Sequence, residues 1–146
     1  MERRAFIKTT CMACLTGFAM SELFESCTIL KYTSVEMVEN DLVVPLLHFF
    51  QNQVNDGVFK KYIIVENDKL KYPICVYRTN ENNYTALWMQ CTHQNAELQV
   101  FGDVLQCPAH GSEFSNKGKA LNTPASRDLK TFPVTISDNQ IKISLK

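Results

Sequence analysis

Cys91-Thr92-His93 and Cys107-Pro108-Ala109-His110-Gly111-Ser112 decide how this chain is read. Thirteen residues separate His93 from Cys107. Each segment offers one thiol and one imidazole. The residues between them predict a hairpin, with Glu97 to Phe101 and Val104 to Gln106 as strands and Gly102-Asp103 as the turn. A hairpin returns the chain to the place it left. Both segments therefore come to the same end of one sheet, and their four donors converge. Thiolate and imidazole together suit iron and zinc.

The rest of the chain, from about residue 28, reads as strands. Val58 to Val65 is rich in β-branched and aromatic residues, and Asn67-Asp68 offers a turn before Leu70 to Arg78. Asn80 to Asn83 is a second turn, followed by Tyr84 to Gln90. Lys130 to Ile136 and Gln140 to Leu145 predict a last hairpin around Ser137-Asp138-Asn139. Ile141, Ile143 and Leu145 alternate with Lys142, Ser144 and Lys146, which gives one buried and one wet face. Leu42 to Gln53 fits strand and helix alike, and Pro45 and Pro73 suggest edges or bulges. Short strands with frequent turns predict an all-β sandwich or barrel.

With the residues that follow the second pair, Gly111-Ser112-Glu113-Phe114, the two segments resemble the Rieske 2Fe-2S family, in which two histidines replace two cysteines on one iron. The resemblance is close from Cys91 to Leu129. It implies a Rieske-type antiparallel β-sandwich or barrel with a cluster-binding hairpin subdomain, and one 2Fe-2S cluster per chain. It implies Cys91 and Cys107 on the inner iron and His93 and His110 on the outer one. Ser112 matches the family serine whose hydroxyl bonds a cluster sulfur. Gly118 falls at the family spacing after Phe114. Thr123-Pro124-Ala125 with Leu129 resembles the proline loop over the cluster, with Thr123 where the family usually has Gly. Two Cys and two His are also a zinc set, but zinc requires neither the His110-Gly111-Ser112 sequence nor a proline loop.

Neutral imidazoles leave the cluster less negative than four thiolates would, so its potential rises. Ala96 and Ala109 stand where the quinol-oxidising branch of the family has a disulfide pair. Phe114 stands where that branch often has Tyr, which removes a hydroxyl donor. Fewer donors to sulfur stabilise the reduced form less. The expected potential lies below that branch, and above the lowest Rieske ferredoxins because of Ser112.

The first residues differ from the rest. Arg3-Arg4-Ala5-Phe6-Ile7-Lys8 and the apolar run Thr9 to Met20 resemble a twin-arginine export signal, with Glu2 where Ser or Thr is frequent. The run is shorter than the ~20 residues a spanning helix needs. A route that carries folded proteins suits a cofactor assembled before export. Leu23-Phe24-Glu25-Ser26-Cys27 resembles a loose lipoprotein box, which would place a lipid on Cys27. The expected organisation is an export signal over residues 1–26, a linker or first strand over 27–40, and a Rieske domain over 41–146 whose cluster-binding part spans about 90–129. The expected location is the periplasm, free or lipid-anchored to a membrane.

At 146 residues the chain has the length of one domain. Its 15 basic and 15 acidic residues balance, so no nucleic-acid partner is expected. Six scattered cysteines do not form a disulfide framework. Cys75 reads as a small buried apolar residue, His48 as a packed or surface histidine, and Tyr84 and Trp88 as core or as packing beneath the cluster. Lys60-Lys61 and Lys69 with Lys71 read as solvated faces of strands. No nucleophile or acid–base pair is visible, so no catalytic residue is expected. An oxygenase acting alone would need a mononuclear iron site of two His and a carboxylate, and only His48 is left over. The expected function is one-electron transfer to or from a periplasmic or membrane redox partner. The alternative is a Rieske subunit of a larger oxidoreductase of the quinol- or molybdenum-oxidase type. The expected partner surface is the ring of Gln94, Asn95, Ala109, Gly111 and Pro124.

Overall fold

The computed structural model describes residues 31–51 and 57–146. The expected export signal and Cys27 lie outside the described residues. In chain order the strands are β1 (Tyr32–Ser34), β2 (Glu36–Val38) and β3 (Asp41–Pro45), then a 3-10 helix (Leu46–Phe49). β4 (Tyr62–Glu66), β5 (Ile74–Asn80), β6 (Asn83–Trp88), β7 (Gln99–Phe101), β8 (Val104–Gln106) and β9 (Glu113–Ser115) follow. The last are β10 (Thr131–Phe132), β11 (Val134–Ser137) and β12 (Gln140–Ser144). They form a five-stranded sheet of order β1-β4-β5-β6-β10, a four-stranded sheet of order β11-β12-β3-β2 and a three-stranded sheet of order β7-β8-β9.

The pleat explains how three sheets share one chain. Successive side chains of a strand point to opposite faces. In β5, Cys75 and Tyr77 enter one core while Ile74 and Val76 enter another. β4 divides in the same way, with Ile64 on one side and Ile63 and Val65 on the other. β6 sends Leu87 to the first core and Ala86 to the second. The five-stranded sheet is therefore a middle layer, which is why Ile74 to Tyr77 is an unbroken buried run. Leu42, Val44, Ile141 and Ile143 of the four-stranded sheet cover one face. Val100, Leu105 and Phe114 of the three-stranded sheet cover the other, together with Cys91 and Cys107.

The all-β class stands, with differences in detail. One pairing, β1 with β4, is parallel, and the other strand pairs are antiparallel. Residues 32–38 hold two short strands in different sheets rather than one. Leu42 to Phe49 is strand and then 3-10 helix, with Pro45 at the junction. Pro45 ends an interior strand and is not on an edge strand. Val58 to Lys61 precedes β4 instead of belonging to it, since Lys60 N–H reaches back to the Phe49 carbonyl (2.6 Å) and Phe59 bridges Phe50. Lys69 and Lys71 are exposed in the turn before β5. The expected last hairpin divides at Pro133. Thirteen residues from the C-terminal end of the sequence, β10 pairs with β6 in one sheet while β11 pairs with β12 in another. Proline lacks the N–H that would continue a single ladder. Asp138 and Asn139 have φ of 50° and 60°, the left-handed pair of a two-residue hairpin turn. Tyr84 and Trp88 pack against the second core, and Trp88 also borders the first donor loop. Cys75 is fully buried, and burial pushes its thiol pKa up. His48 is half-buried in the 3-10 helix, and burial and then the Lys60 ammonium lower its pKa.

Candidate metal centre

The hairpin β7–β8 forms as the sequence predicts, with Gly102 at φ 60° in its turn. The Tyr77 hydroxyl donates to the Gly102 carbonyl (3.0 Å), and Lys61 pairs with Asp103. These contacts tie the far end of the hairpin to the middle sheet. Its near end carries the two donor loops.

The loops share one backbone plan. In the first, Cys91 N–H donates to the Ala96 carbonyl (2.8 Å) and Asn95 N–H to the Cys91 carbonyl (2.9 Å). In the second, Cys107 N–H donates to the Ser112 carbonyl (2.8 Å) and Gly111 N–H to the Cys107 carbonyl (2.9 Å). The fourth residue after each cysteine is left-handed, Asn95 at φ 57° and Gly111 at φ 74°. Each loop thus folds round its cysteine and turns its histidine outward.

The result is a layered donor set. Cys91 and Cys107 are 0% and 1% exposed, in one core with Leu98, Leu105 and Phe114. His93 and His110 are exposed, and their rings meet edge to face with centroids 5.0 Å apart. A tetrahedral zinc site gathers four donors about one point. Here a buried thiol pair underlies an exposed imidazole pair, which suits two irons with two protein donors each.

Ser112 is completely buried, and its Oγ accepts from Ala125 N–H (3.1 Å). That contact uses an oxygen lone pair and leaves the hydroxyl hydrogen free to donate to a cluster sulfur. Ala125 and Leu129 pack into the core that holds both cysteines, so the Thr123–Leu129 segment lies against the site. Asn122 fastens this segment to the second loop, accepting from Glu113 N–H (2.7 Å) and donating to the Gly111 carbonyl (3.3 Å). Asp128 accepts from Ala120 N–H (3.0 Å) and pairs with Lys119 (2.6 Å). The lysine and then the backbone N–H hold its carboxyl pKa down. Gly118 has φ 81°, and a Cβ there would sit 2.9 Å from Leu87 Cδ2, so that close approach needs glycine.

Sequence reading missed the contacts that hold the first loop. The Thr92 hydroxyl donates to the Arg127 carbonyl (2.7 Å), and Arg127 Nη2 donates back to the Thr92 carbonyl (3.2 Å). Tyr72 donates to the Asn95 carbonyl, and Gln90 Nε2 to Asn95 Oδ1 (2.8 Å). No local pattern marks such pairs. Gln94, Asn95, Ala109, Gly111 and Pro124 are all exposed. A cleft of about 510 Å³ between the 3-10 helix, Arg78 and Asn139 contains none of the donors.

Residues 47–133 match the Rieske 2Fe-2S domain. The ferredoxin component of a 2,4-dinitrotoluene dioxygenase system from a Burkholderia species is 35% identical over 75 residues, 49% of this chain and 71% of that protein. The cytochrome b6-f complex iron-sulfur subunit of Chlorobaculum tepidum is 32% identical over 63 residues, 42% of this chain and only 35% of that protein. The solved plasma-membrane Rieske protein PetC3 of Synechocystis PCC 6803 superposes with a TM-score of 0.51 at 31% identity, over 57% of this chain and 86% of that one. With the family match covering more than half of its length, the chain belongs to the Rieske family, carries a Rieske-type 2Fe-2S cluster and serves in electron transfer.

Proposed function

We propose that this protein is an exported one-electron carrier in which Cys91 and Cys107 hold the inner iron and His93 and His110 the outer iron. The observation that carries the reading is the pair of exposed imidazoles above a pair of buried thiols. When bound, the cluster supplies reversible one-electron chemistry. The chain's own part is to seal and to expose. Leu98, Leu105, Phe114, Ala125 and Leu129 keep water from the cysteines. Ser112 offers a donor that favours the added negative charge. His93 and His110 form the surface edge where a partner approaches, within the ring of Gln94, Asn95, Ala109, Gly111 and Pro124.

Export rests on Arg3-Arg4 and the apolar run after it, and a lipid anchor on Cys27. Both support a periplasmic or membrane-attached carrier. A subunit of a larger oxidoreductase is the second reading, favoured by the likeness to an iron-sulfur subunit of a cytochrome complex. The ferredoxin likeness and Ala96 and Ala109, which leave the two loops without a disulfide pair, favour the free carrier.

Paramagnetic resonance on the natively produced protein, with His93→Ala and His110→Ala beside it, tests the ligand assignment. Each variant should lose the Rieske signal, and a normal signal from either overturns the assignment. Cell fractionation should find the protein outside the cytoplasm, and Arg3→Lys with Arg4→Lys should retain it inside. Labelled fatty acid should enter the wild-type chain and not Cys27→Ser. Purification as a single-chain species, with detergent where a lipid anchor is present, supports the free carrier, while a stoichiometric companion subunit supports the second reading.

A further inference from the structure

The two donor loops fold alike, but they reach the left-handed position by different means. Gly111 adopts a positive φ without steric cost. Asn95 carries a Cβ, and asparagine tolerates that conformation better than other side chains but at more cost than glycine, a cost that hydrogen bonds can offset.

Three side chains close a ring with Asn95. Tyr72 donates its hydroxyl to the Asn95 carbonyl. Gln90 Nε2 donates to Asn95 Oδ1 at 2.8 Å. Trp88 Nε1 donates to Gln90 Oε1 at 2.6 Å. The rings of Trp88 and Tyr72 meet edge to face, with centroids 5.8 Å apart. Trp88 is anchored in turn against Phe132 at 5.6 Å. Trp88 ends β6 of the middle sheet, and Tyr72 lies in the bend that leads into β5. The second loop has a lighter hold at the matching place, where the Gly111 carbonyl accepts from Asn122 at 3.3 Å.

We propose that Tyr72, Gln90 and Trp88 are positioning residues. They hold Asn95 left-handed from the middle sheet, and through it set the orientation of His93 two residues earlier. The Thr92–Arg127 exchange of hydrogen bonds fixes the loop on the other side of His93. The first imidazole is therefore set by the sheet, whereas the second is set by its own loop. This rests on the proposed role of His93 as an iron ligand.

A double-mutant cycle on the cluster-loaded protein tests it. Tyr72→Phe keeps the ring against Trp88 and removes only the hydroxyl. Asn95→Gly removes the Oδ1 that accepts from Gln90 and keeps the carbonyl that accepts from Tyr72. Tyr72→Phe alone should shift the g-values of the reduced protein, which report imidazole orientation, and should speed cluster loss to a chelator about fivefold, the worth of one net hydrogen bond. In the Asn95→Gly background Gln90→Leu should shift neither, because its side-chain acceptor is already gone. Equal non-zero effects of Gln90→Leu in both backgrounds, or unchanged g-values in Tyr72→Phe, overturn the proposal. Gln90→Leu should behave like Tyr72→Phe if the ring acts as a unit, and unchanged g-values there remove Gln90 and Trp88 from the device. If His93→Ala keeps a normal Rieske signal, the ligand reading fails instead, so the two failures are distinct.

Discussion

Replacing Ser112 by alanine separates two jobs of one hydroxyl. Its oxygen accepts from Ala125 N–H at 3.1 Å in a site with no solvent exposure. Its hydrogen is free to donate to a cluster sulfur. Removing the oxygen leaves a buried N–H without its acceptor, which costs about 1–3 kcal/mol of stability. Removing the donor weakens a bond to a charged acceptor worth about 1.5–3 kcal/mol. Only the part gained on reduction moves the potential. Taking that part as about 1 kcal/mol, and about 59 mV per tenfold for one electron, the potential should fall by roughly 40 mV. Film voltammetry reads the potential, and denaturant unfolding of the cluster-loaded protein reads the stability. A lower stability with an unchanged potential would show that the hydroxyl serves Ala125 alone, and would refute its role toward the cluster.

Other outcomes follow from the same geometry. Phe114→Tyr returns a hydroxyl to the position that the quinol-oxidising branch often uses, and voltammetry should find the potential raised by a similar ~40 mV if the added group reaches a sulfur. Phe114 is fully buried, so a loss of stability with no rise in potential would mean that the hydroxyl finds no acceptor there. Gly118→Ala forces a Cβ against Leu87 at φ 81° and should lower stability by about 1–3 kcal/mol in denaturant unfolding; wild-type stability would show that Leu87 yields. The Tyr32 hydroxyl donates to Glu97 (2.9 Å), and burial, that bond and the charges of Glu97 and Glu66 raise its pKa to about 12. An acid whose pKa is raised on folding adds stability that is complete below its unfolded pKa of ~10 and lost as pH climbs through about 12. Ultraviolet titration should show one tyrosine, absent in Tyr32→Phe, ionising near the top of that window.

Much of the fold was legible because the pleat imposes a period on the sequence. The β7–β8 hairpin and its Gly102-Asp103 turn lie where the strand pattern predicts, and Ile141 and Ile143 are buried while Lys142 is exposed. The unbroken apolar run in β5 marked a strand without saying what covers each face. Pro45 was expected at an edge or bulge and instead ends an interior strand, and Pro133 divides an expected hairpin between two sheets. A ladder can stop at proline or change partner there, and local sequence does not distinguish these outcomes. The span from Val58 was read as strand because its residues are β-formers, yet its hydrogen bonds go back to the 3-10 helix.

The sequence by itself determined where two thiols and two imidazoles stand, their spacing in two loops and the hairpin that brings the loops together. These are local matters of residue type and period. It also determined the glycine at 111, which acts within its own loop. The tertiary structure decided that the cysteines are sealed and the histidines bare, because burial depends on which layer covers a strand face. It decided that Ala125, thirteen residues away, shares the Ser112 hydroxyl, and that Arg127, thirty-five residues away, holds Thr92. It also placed Tyr72 against Asn95 across twenty-three residues. Hydrogen bonds over such separations form only after the sheets have packed, so no short stretch of sequence records them.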